Sequence, residues 1–538
     1  MTEKPVTLMP EDIQRIMGRD AQRNNILAAR MVAEMVKTTL GPKGMDKMLV
    51  SPTNEITVTN DGVTILEEMQ IEHPAAKMMV DIAKTQDTEV GDGTTTVVMI
   101  AGKLLENAER LLDQKIHPTV IVKGYKMAAE KAQEILNEIA LRINPEDEEI
   151  LKQIAMTAMT GKGAESLREK FAGIIVKAVK QIQNNGKIDL DDIKIEKSKG
   201  EGIADTELIS GIVLDKEKVS NDMPFKITNA KIVLIDFPLE LKNPEIDTKI
   251  SISSPEQLQG FLNQEERIIK EMIKKVEDTG ANVVFCQKGI DDFAQYLLSK
   301  AGIYACRRVA RSDMEKLAKA TGGKIVSNLN ELSSSELGNS EIVEEVKHGK
   351  DVLTYVKGCK NPKALTILIH GGTDHIIDEI ERAFKDGLGV VSSSLRTRLV
   401  VPGGGAIEIE LARRLRHFGQ SLSGREQLAV EEFASALEFI PITLAENAGL
   451  DPIDVLTELK SRHDSGEKNA GLNLFTNKIE NVLEAKIIEP YQIKTQAINS
   501  ATEVATMILR IDDVIASSGG KGKRNSGMSG MPPGMDEY

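Results

Sequence analysis

The sequence predicts a multidomain protein that combines mostly helical domains with an α/β domain. Its 538 residues are too many for one hydrophobic core. Apolar residues recur at helical intervals toward both ends of the chain, whereas short strand-like segments alternate with helices near its middle. Because the helical pattern resumes after the middle, we expect the two ends to form one domain into which the others are inserted.

The first 140 residues are predicted to be helical apart from a polar arm and one short strand. The arm covers residues 1–20, and the helix after it stops at Leu40-Gly41-Pro42, where a glycine ends the helix and a proline cannot continue it. Asn60-Asp61-Gly62 is a turn signal behind the strand. The predicted elements are a helix over 20–38, a strand over 56–59, a helix over 75–88, and further helices with breaks at His73-Pro74 and His117-Pro118.

The middle of the chain is predicted to change from a mixed pattern to strands alternating with ten-residue helices, which implies a parallel sheet. Ser254-Pro255 starts a long helix, and Ser312-Asp-Met-Glu315 is a capping box. The predicted elements are two helices on either side of residues 160–163, strands over 192–197, 211–214, 230–236, 282–286, 303–309, 324–327 and 365–370, and helices over 254–279, 291–300, 312–322 and 373–384.

The helix that starts at Thr373 is expected to end near Phe384, so that Asp386 becomes a helix-end acid beside Gly387. From residue 406 onward long helices return. The last twenty residues are a Gly, Ser, Met and Pro tail, for which no regular structure is expected.

The composition excludes several classes of protein. A formal net charge of −14 disfavours nucleic acid or an anionic membrane as the main partner, and 3% aromatic residues without tryptophan leave little for base stacking. Cys286, Cys306 and Cys359 form no Cys-x-x-Cys pair, which favours a reducing compartment over a disulfide framework or a zinc site. No apolar run approaches the ~18 residues of a membrane span. We therefore expect a cytoplasmic protein.

One short segment indicates phosphate chemistry. In Gly91-Asp-Gly-Thr-Thr-Thr96 the glycines allow another group to approach the main chain, and the next helix turns its free N–H groups toward the loop. Hydroxyls and N–H donors around Asp92 suit a phosphate with bound Mg²⁺. The alternative is a glycine turn with a threonine N-cap, against which three consecutive β-branched residues argue because they are mediocre helix formers.

The sequence contains no P-loop motif, so any nucleotide would be bound by another route. From end to end, however, the chain resembles the group II chaperonins, the archaeal thermosome and its eukaryotic cytosolic counterpart. The matching motifs are Thr38-Thr-Leu-Gly-Pro-Lys-Gly-Met-Asp-Lys47, Asn60-Asp-Gly-Val-Thr64, Gly91-Asp-Gly-Thr-Thr-Thr96, Val401-Pro-Gly-Gly-Gly405, Leu444-Ala-Glu-Asn-Ala-Gly-Leu-Asp451 and Lys494-Thr-Gln-Ala497.

The resemblance implies three domains. Residues 1–145 and 402–538 would form a mostly helical equatorial domain that binds ATP, and residues 146–213 and 365–401 a mixed intermediate hinge domain. Residues 214–364 would form an α/β apical domain that binds substrate. Its helical protrusion, at about 242–275, would serve as a built-in lid. Within the protrusion, core packing is expected for Met272 to Val276, and a free surface for Leu258 to Phe261.

The resemblance also implies a site for ATP or ADP with Mg²⁺, and K⁺ as a further ion. Asp61 and Asp386 would position and activate the attacking water, Asp92 would bind Mg²⁺, and Lys162 would lie in a loop that senses the γ-phosphate. The other implied contacts are Leu40, Gly41 and Pro42 along the phosphates, Gly93, Thr94, Thr95 and Thr96 in the phosphate cradle, Gly404 and Gly405 beside the adenosine, Asn473 near the base and Glu489 at the ribose.

The function implied is that of an ATP-dependent molecular chaperone. Like or paralogous subunits, eight to a ring, would form two stacked rings that enclose non-native polypeptides when ATP hydrolysis closes the lids, with prefoldin as a further partner. Two alternatives stay open at this point: a passive holdase or scaffold without turnover, and a metabolic kinase or ATPase that acts on a small molecule.

The chain departs from the family pattern near Asp386. It has His370-Gly-Gly-Thr373 where the family often has Arg-Gly-Gly-Thr, Ser392-Ser-Ser-Leu-Arg-Thr-Arg398 where acidic and glycine residues are frequent, and Gly387 where alanine is commoner. These differences border the implied hinge, so they bear on its stiffness and on the rate of hydrolysis.

Overall fold

The computed structural model describes residues 13–162, 167–184, 186–200, 202–241, 255–349, 351–360 and 362–517. The predicted arm up to residue 12, the C-terminal tail and residues 242–254 of the implied lid lie outside these ranges. Within them, the prediction of an arm is wrong for Ile13–Met17. This segment is a strand, β1, that pairs antiparallel with the C-terminal strand Asp513–Ser517.

Residues 13–142 are mainly helical, as predicted. Two helices begin with a proline at their first position, Pro74 and Pro118, and the rings of His73 and His117 accept backbone N–H groups there. The elements after β1 are α1 Gly18–Lys37, β2 Lys47–Val50, β3 Ile56–Thr59, α2 Gly62–Glu68, α3 Pro74–Val90, α4 Thr94–Asp113, α5 Pro118–Ile139 and β4 Leu141–Arg142.

The second part is built from two separate stretches of the chain: the first begins with α6, and the second, late in the chain, includes α11 and ends with β15. Its three-stranded sheet has the order β5-β14-β6, with β14 parallel to β5 and antiparallel to β6. The elements are α6 Glu148–Ala158, α7 Arg168–Ile182, β5 Ile193–Lys199, β6 Glu207–Ile209, β14 Leu365–Gly371, α11 Asp374–Thr397 and β15 Leu399–Pro402.

The prediction that the helix carrying Asp386 ends near Phe384 is wrong. α11 continues to Thr397, and Asp386 lies in its interior. Glycine in a helix costs about 1 kcal/mol relative to alanine, which disfavours a helix through Gly387 and Gly389. The chain beyond them carries a buried apolar face, however, which includes Val391 and Leu395 and extends the helix.

The third part is an α/β domain on a seven-stranded sheet. Six strands lie in the order β10-β9-β8-β12-β13-β7, so that β10 and β7 form the two edges. The seventh strand, β11, pairs with β8. The elements are β7 Gly211–Leu214, β8 Lys226–Ile235, α8 Pro255–Asp278, β9 Val283–Cys286, α9 Asp292–Lys300, β10 Tyr304–Cys306, α10 Arg311–Thr321, β11 Ile325–Val326, β12 Gly338–His348 and β13 Asp351–Lys357.

Strands β8 to β11 are parallel, as their alternation with helices predicts. The sheet is nevertheless mixed, because the antiparallel hairpin β12–β13, which was not predicted, continues it to β7. The predicted capping box is also wrong: α10 begins one residue earlier, at Arg311, and no side chain in the described part of the chain caps it. On α8, Ile269, Ile273 and Val276 are buried, which confirms core packing for that half. The side chains of Leu258 and Phe261 lie outside the described set.

The C-terminal part returns to the first. α4 lies between α1, α13 and α15, so residues from both ends of the chain form one hydrophobic core over 26–136 and 401–509. A second core joins residues 143–193 to 365–400. The remaining elements are α12 Ala406–Gln420, α13 Glu426–Asn447, α14 Pro452–Asp464, β16 Ala470–Asn473, β17 Lys478–Asn481, β18 Ile488–Pro490, α15 Tyr491–Leu509 and β19 Asp513–Ser517.

The three cysteines are buried in the third part of the fold, and each is a free thiol. Burial raises the pKa of Cys286 and of Cys359 to about 11. Among the described helices none has the length and apolarity that crossing a membrane requires.

Candidate functional site

A cavity of about 410 Å³ lies between the first core and helices α6 and α7 of the second. That volume falls in the range typical of small-ligand sites. Thirteen of the fifteen residues implied by the resemblance line it: Leu40, Gly41, Pro42, Asp61, Asp92, Gly93, Thr94, Thr95, Thr96, Lys162, Gly404, Gly405 and Glu489. The other two, Asp386 and Asn473, are not lining residues.

The loop before α4 forms one end of the cavity. Gly93 has φ +83°, a left-handed conformation that favours glycine, and it leaves the start of α4 without a side-chain cap. The N–H groups of Thr94, Thr95 and Thr96 therefore have no carbonyl partner within the helix. They offer an anion several donors at the positive end of the helix dipole.

The structure changes the reason why residue 93 is a glycine. A β-carbon at this position would lie 2.7 Å from Ile493 Cγ2 and 3.0 Å from Gln86 Nε2. Both neighbours belong to packed helices, α15 and α3. A side chain at residue 93 would thus distort the loop itself, whereas the sequence suggested that it would exclude a ligand directly.

Asp61 caps the helix α2, so the segment predicted as a turn at residues 60–62 leads directly into a helix. Its Oδ2 accepts hydrogen bonds from the Thr64 N–H at 2.9 Å and from the Thr64 hydroxyl at 2.7 Å. Its Oδ1 is 3.4 Å from the hydroxyl of Thr94. The cap fixes the carboxylate and directs its second oxygen toward the start of α4.

Lys162 joins the carboxylates of the site. Its ammonium contacts Asp386 Oδ2 directly and lies 3.8 Å from Asp92 Oδ1. Burial raises the pKa of Asp386, and the negative charges of Asp92 and Asp61 add to this effect while Lys162 opposes it. Burial alone would lower the pKa of Lys162, but the three carboxylates outweigh it and leave that pKa raised. The lysine is therefore the counter-ion of an acidic cluster.

The segment that carries Lys162 is held from both cores. Asn60, beside the Asp61 cap, donates from Nδ2 to the carbonyl of Gly161 at 2.6 Å. Arg168, at the start of α7, donates to the Thr160 hydroxyl at 3.0 Å, and its guanidinium lies 5.1 Å from the ring centroid of Phe475. Lys162 thus extends from the second core into a cavity whose floor belongs to the first.

The far end of the cavity is apolar. Gly404 and Gly405 have φ of +61° and +78° and let the chain turn into α12. Asn473 is 6% exposed, and its side chain is used within the β16–β17 hairpin, where Nδ2 donates to Glu480 and Oδ1 accepts the Phe475 N–H. The wall beside it includes Leu444, the first residue of the motif at 444–451, to which no role was attached. Its other residues were not singled out in the sequence: Ile440, Leu472, Leu474, Phe475 and Ile487.

Two charged residues beside Glu489 were also missed. Lys494 lines the cavity, and its ammonium lies between Glu489 and the buried Glu408. The signal for Lys494 was its place in the motif Lys494-Thr-Gln-Ala497, to which no role was attached. Glu408 had no signal, since a glutamate in the first turn of a helix is ordinary.

The donor set fits a cation that is bound together with phosphate. Among the described residues no group of three or more His, Cys, Asp or Glu side chains could hold a metal ion alone. Asp92 offers one carboxylate in the cavity, and its side chain is 32% exposed. Mg²⁺ is commonly held by one or two carboxylates, with phosphate oxygens and waters as the other ligands. Asp92 would be the protein ligand in such an arrangement.

Comparison with known proteins agrees with this architecture. The model of the TCP-1/cpn60 chaperonin family matches residues 32–518. A thermosome subunit of Methanopyrus kandleri is 59% identical over 96% of this chain and 95% of its own length. The thermosome subunit beta of Archaeoglobus fulgidus is 58% identical over 99% of both chains, and a thermosome subunit of Methanocaldococcus jannaschii is 55% identical over the whole of both.

The chain belongs to the TCP-1/cpn60 chaperonin family. The similarity to thermosome subunits over nearly full length confirms that it is a group II chaperonin, and it confirms the predicted multidomain α and α/β fold class.

Proposed function

We propose that this chaperonin is an ATPase whose hydrolysis cycle drives the folding of enclosed, non-native polypeptides. The observation that carries the proposal is the convergence of Asp61, Asp92 and Lys162, with Asp386 behind the lysine, on the uncapped start of α4. Phosphoryl transfer to water requires neutralisation of the phosphate charge and an oriented nucleophile. This set of groups supplies both.

The residues divide that work. The N–H groups of Thr94 to Thr96 bind phosphate oxygens, and Asp92 is placed to hold the accompanying Mg²⁺, which withdraws charge from the phosphates when bound. Asp61 is fixed by its capping bonds, so it can orient a water molecule without moving. Asp386 has a raised pKa, which suits a carboxylate that accepts the proton of the attacking water.

The two halves of the site come from different cores, which gives hydrolysis a mechanical role. Asp61 and Asp92 lie at the starts of α2 and α4, whose apolar residues belong to the first core. Asp386 and Lys162 are carried by α11 and by the segment after α6, which pack in the second. Moving the second core relative to the first would separate Asp386 from Asp61 and Asp92. We infer that closure completes the site and that the same movement is passed to the α/β part, with residues 242–275 as its lid.

The assembly would be a double ring. The relatives are named as thermosome subunits, and Archaeoglobus fulgidus has both an alpha and a beta subunit. We extend this to a ring of like or paralogous subunits, eight per ring, with K⁺ as a supporting ion and prefoldin as a partner that delivers clients.

Phosphate release from ATP, measured with and without Mg²⁺ on the purified native particle, tests the proposal. We expect Mg²⁺-dependent hydrolysis by a particle of ring size, together with protection of a bound unfolded protein from protease when ATP is added. A ring that protects its client without hydrolysis would be a passive holdase. A monomer or dimer that hydrolyses ATP would instead support a small-molecule kinase or ATPase.

A further inference from the structure

The wall of the cavity holds a buried charge cluster for which the proposed hydrolysis has no direct use. Lys494 Nζ lies 2.8 Å from Glu408 Oε1 and 2.5 Å from Glu489 Oε2. Glu408 is 2% and Lys494 7% exposed, whereas the Glu489 side chain is 22% exposed and lines the cavity. We refer to these three residues as the ribose-side cluster.

The cluster is costly to build, which indicates a purpose other than stability. Buried ion pairs are often no more stabilising than apolar residues of the same size, because the desolvation penalty offsets the attraction. Lys494 also lies in the first turn of α15, where the helix dipole disfavours a cation. Burial by itself lowers the pKa of Lys494, but Glu408 and Glu489 outweigh it, so the lysine stays charged.

Glu408 serves as the fixed end of the cluster. It lies in the first turn of α12, where the dipole favours an anion. Both of its carboxylate oxygens are buried and have no hydrogen-bond partner among the residues that the structure describes, and its contact in the cluster is the ion pair with Lys494. Lys494 therefore contacts Glu408, which does not line the cavity, and Glu489, which does.

Glu489 is held on both its backbone and its side chain. Strand pairing of β18 with β15 sets Glu489 opposite Val401. Lys494 forms its ion pair with Oε2 of Glu489. The other oxygen, Oε1, would lie 2.7 Å from a β-carbon at position 403, which is too close for a residue other than glycine unless the carboxylate shifts. Gly403 therefore leaves room for Oε1, which remains as an acceptor for a ligand.

We propose that Lys494, anchored by Glu408, is a positioning residue that presents Glu489 to the ribose hydroxyls of the nucleotide and so sets the preference for ribonucleotides over dideoxyribonucleotides. This rests on the proposed function, since it takes the cavity to bind ATP and ADP. A carboxylate accepts two hydroxyl donors more strongly than a neutral acid does. Without the ammonium, two neighbouring carboxylates would compete, and one would take up a proton.

A purely structural role must be separated from this one, because Lys494 could simply neutralise Glu408. The double variant Lys494→Met, Glu408→Gln separates the two roles. The native cluster has two carboxylates and one ammonium, and the double variant keeps Glu489 alone, so the net charge is the same. It removes the buried pair as a unit, which costs less stability than removing one partner.

The measurement is the ratio of dissociation constants for 2′,3′-dideoxy-ADP and ADP, obtained by calorimetric titration of the full-length chain with Mg²⁺. We expect native protein to prefer ADP by about ten- to a hundredfold, the range for hydrogen bonds to a charged group. The double variant should bind both nucleotides nearly equally. Lys494→Arg, which keeps the cation, should retain most of the preference, and Glu489→Gln should lose it.

A double variant that keeps the native ratio overturns the inference, since Lys494 would then serve only Glu408. Native protein that binds ADP without preferring it also overturns the inference, but leaves the proposed ATPase intact. Native protein that binds neither nucleotide overturns both. If the methionine double variant does not fold, as judged by circular dichroism, Lys494→Gln with Glu408→Gln replaces it, with the same expected loss of preference.

Discussion

Replacement of Asp386 by asparagine tests the division of labour in the site. The amide keeps the shape of the side chain but cannot accept the proton of the attacking water. Asp386 does not line the cavity in this structure and its carboxylate contacts Lys162, so the loss of nucleotide contacts should be small. Loss of a general base costs about 10²- to 10⁴-fold in rate. We therefore expect hydrolysis to fall by that factor while ATP affinity changes little.

The effect on folding should be modest. Breaking a buried ion pair costs about 3–5 kcal/mol when the remaining charge is left unpaired. In Asp386→Asn, Lys162 still has Asp92 as a counter-ion, with 3.8 Å between Nζ and Oδ1. The free energy of unfolding should therefore fall by less than about 3–5 kcal/mol. A large loss of stability would show that Asp386 is needed mainly to neutralise the lysine.

The assay is single-turnover release of phosphate, with ATP binding measured separately before turnover. Asp378→Asn is the matched control, since Asp378 lies on the same helix, its side chain is 43% exposed, and it pairs with Lys197 at 2.7 Å. That variant should hydrolyse ATP at the native rate. Turnover of Asp386→Asn within a factor of about three of native protein, or parallel loss of binding and turnover, would refute the reasoning.

Three further predictions concern binding, confinement and acid stability. Gly93→Val should abolish nucleotide binding, measured by calorimetry, because φ +83° and the nearby Ile493 force the loop out of place. Deletion of residues 242–264 should leave the particle and its ATPase intact but abolish protease protection of an enclosed client. Burial raises the pKa of Glu410, yet hydrogen bonds from His463 and Arg413 outweigh it and hold that pKa well below its usual range. Ionised Glu410 therefore stabilises the folded state at pH values above its unfolded pKa of about 4.3, and this stabilisation is lost as the pH falls toward its lower folded-state pKa. Glu410→Gln should make the thermal unfolding temperature fall less steeply with decreasing pH.

Each of these has an outcome that contradicts it. Unchanged affinity in Gly93→Val would remove the loop from the site. Undiminished confinement after the deletion would contradict the role given to the lid. An acid unfolding profile of Glu410→Gln that parallels the native profile would show that other carboxylates control acid stability.

Local rules predicted the helices and the buried strands well, because periodicity and proline or glycine signals act within a few residues. The breaks before Pro74 and Pro118 are helix starts in the structure. Three of the failures, unlike the local one at the Ser312 capping box, come from contacts that local rules do not see. The hairpin β12–β13 and strand β1 depend on partners far along the chain, and α11 passes through two glycines because its far half is buried.

The site was accessible from sequence only in part. Gly91-Asp-Gly-Thr-Thr-Thr96 carried its own physical signal, whereas Asp386 needed the family resemblance, since local rules made it a helix-end acid. The contact of Lys162 with Asp386, across 224 positions, has no local signature at all. The roles of the residues and the limits of the three domains stay predictions.

The central claim is that acids from two cores meet around one terminal phosphate. A structure of the particle with ADP, Mg²⁺ and aluminium fluoride tests it most directly. We predict the metal on Asp92, the fluoride at the start of α4, and the attacking water within hydrogen-bond distance of both Asp61 and Asp386. A fluoride bound elsewhere, or either carboxylate remote from the water in every closed subunit, would contradict the account.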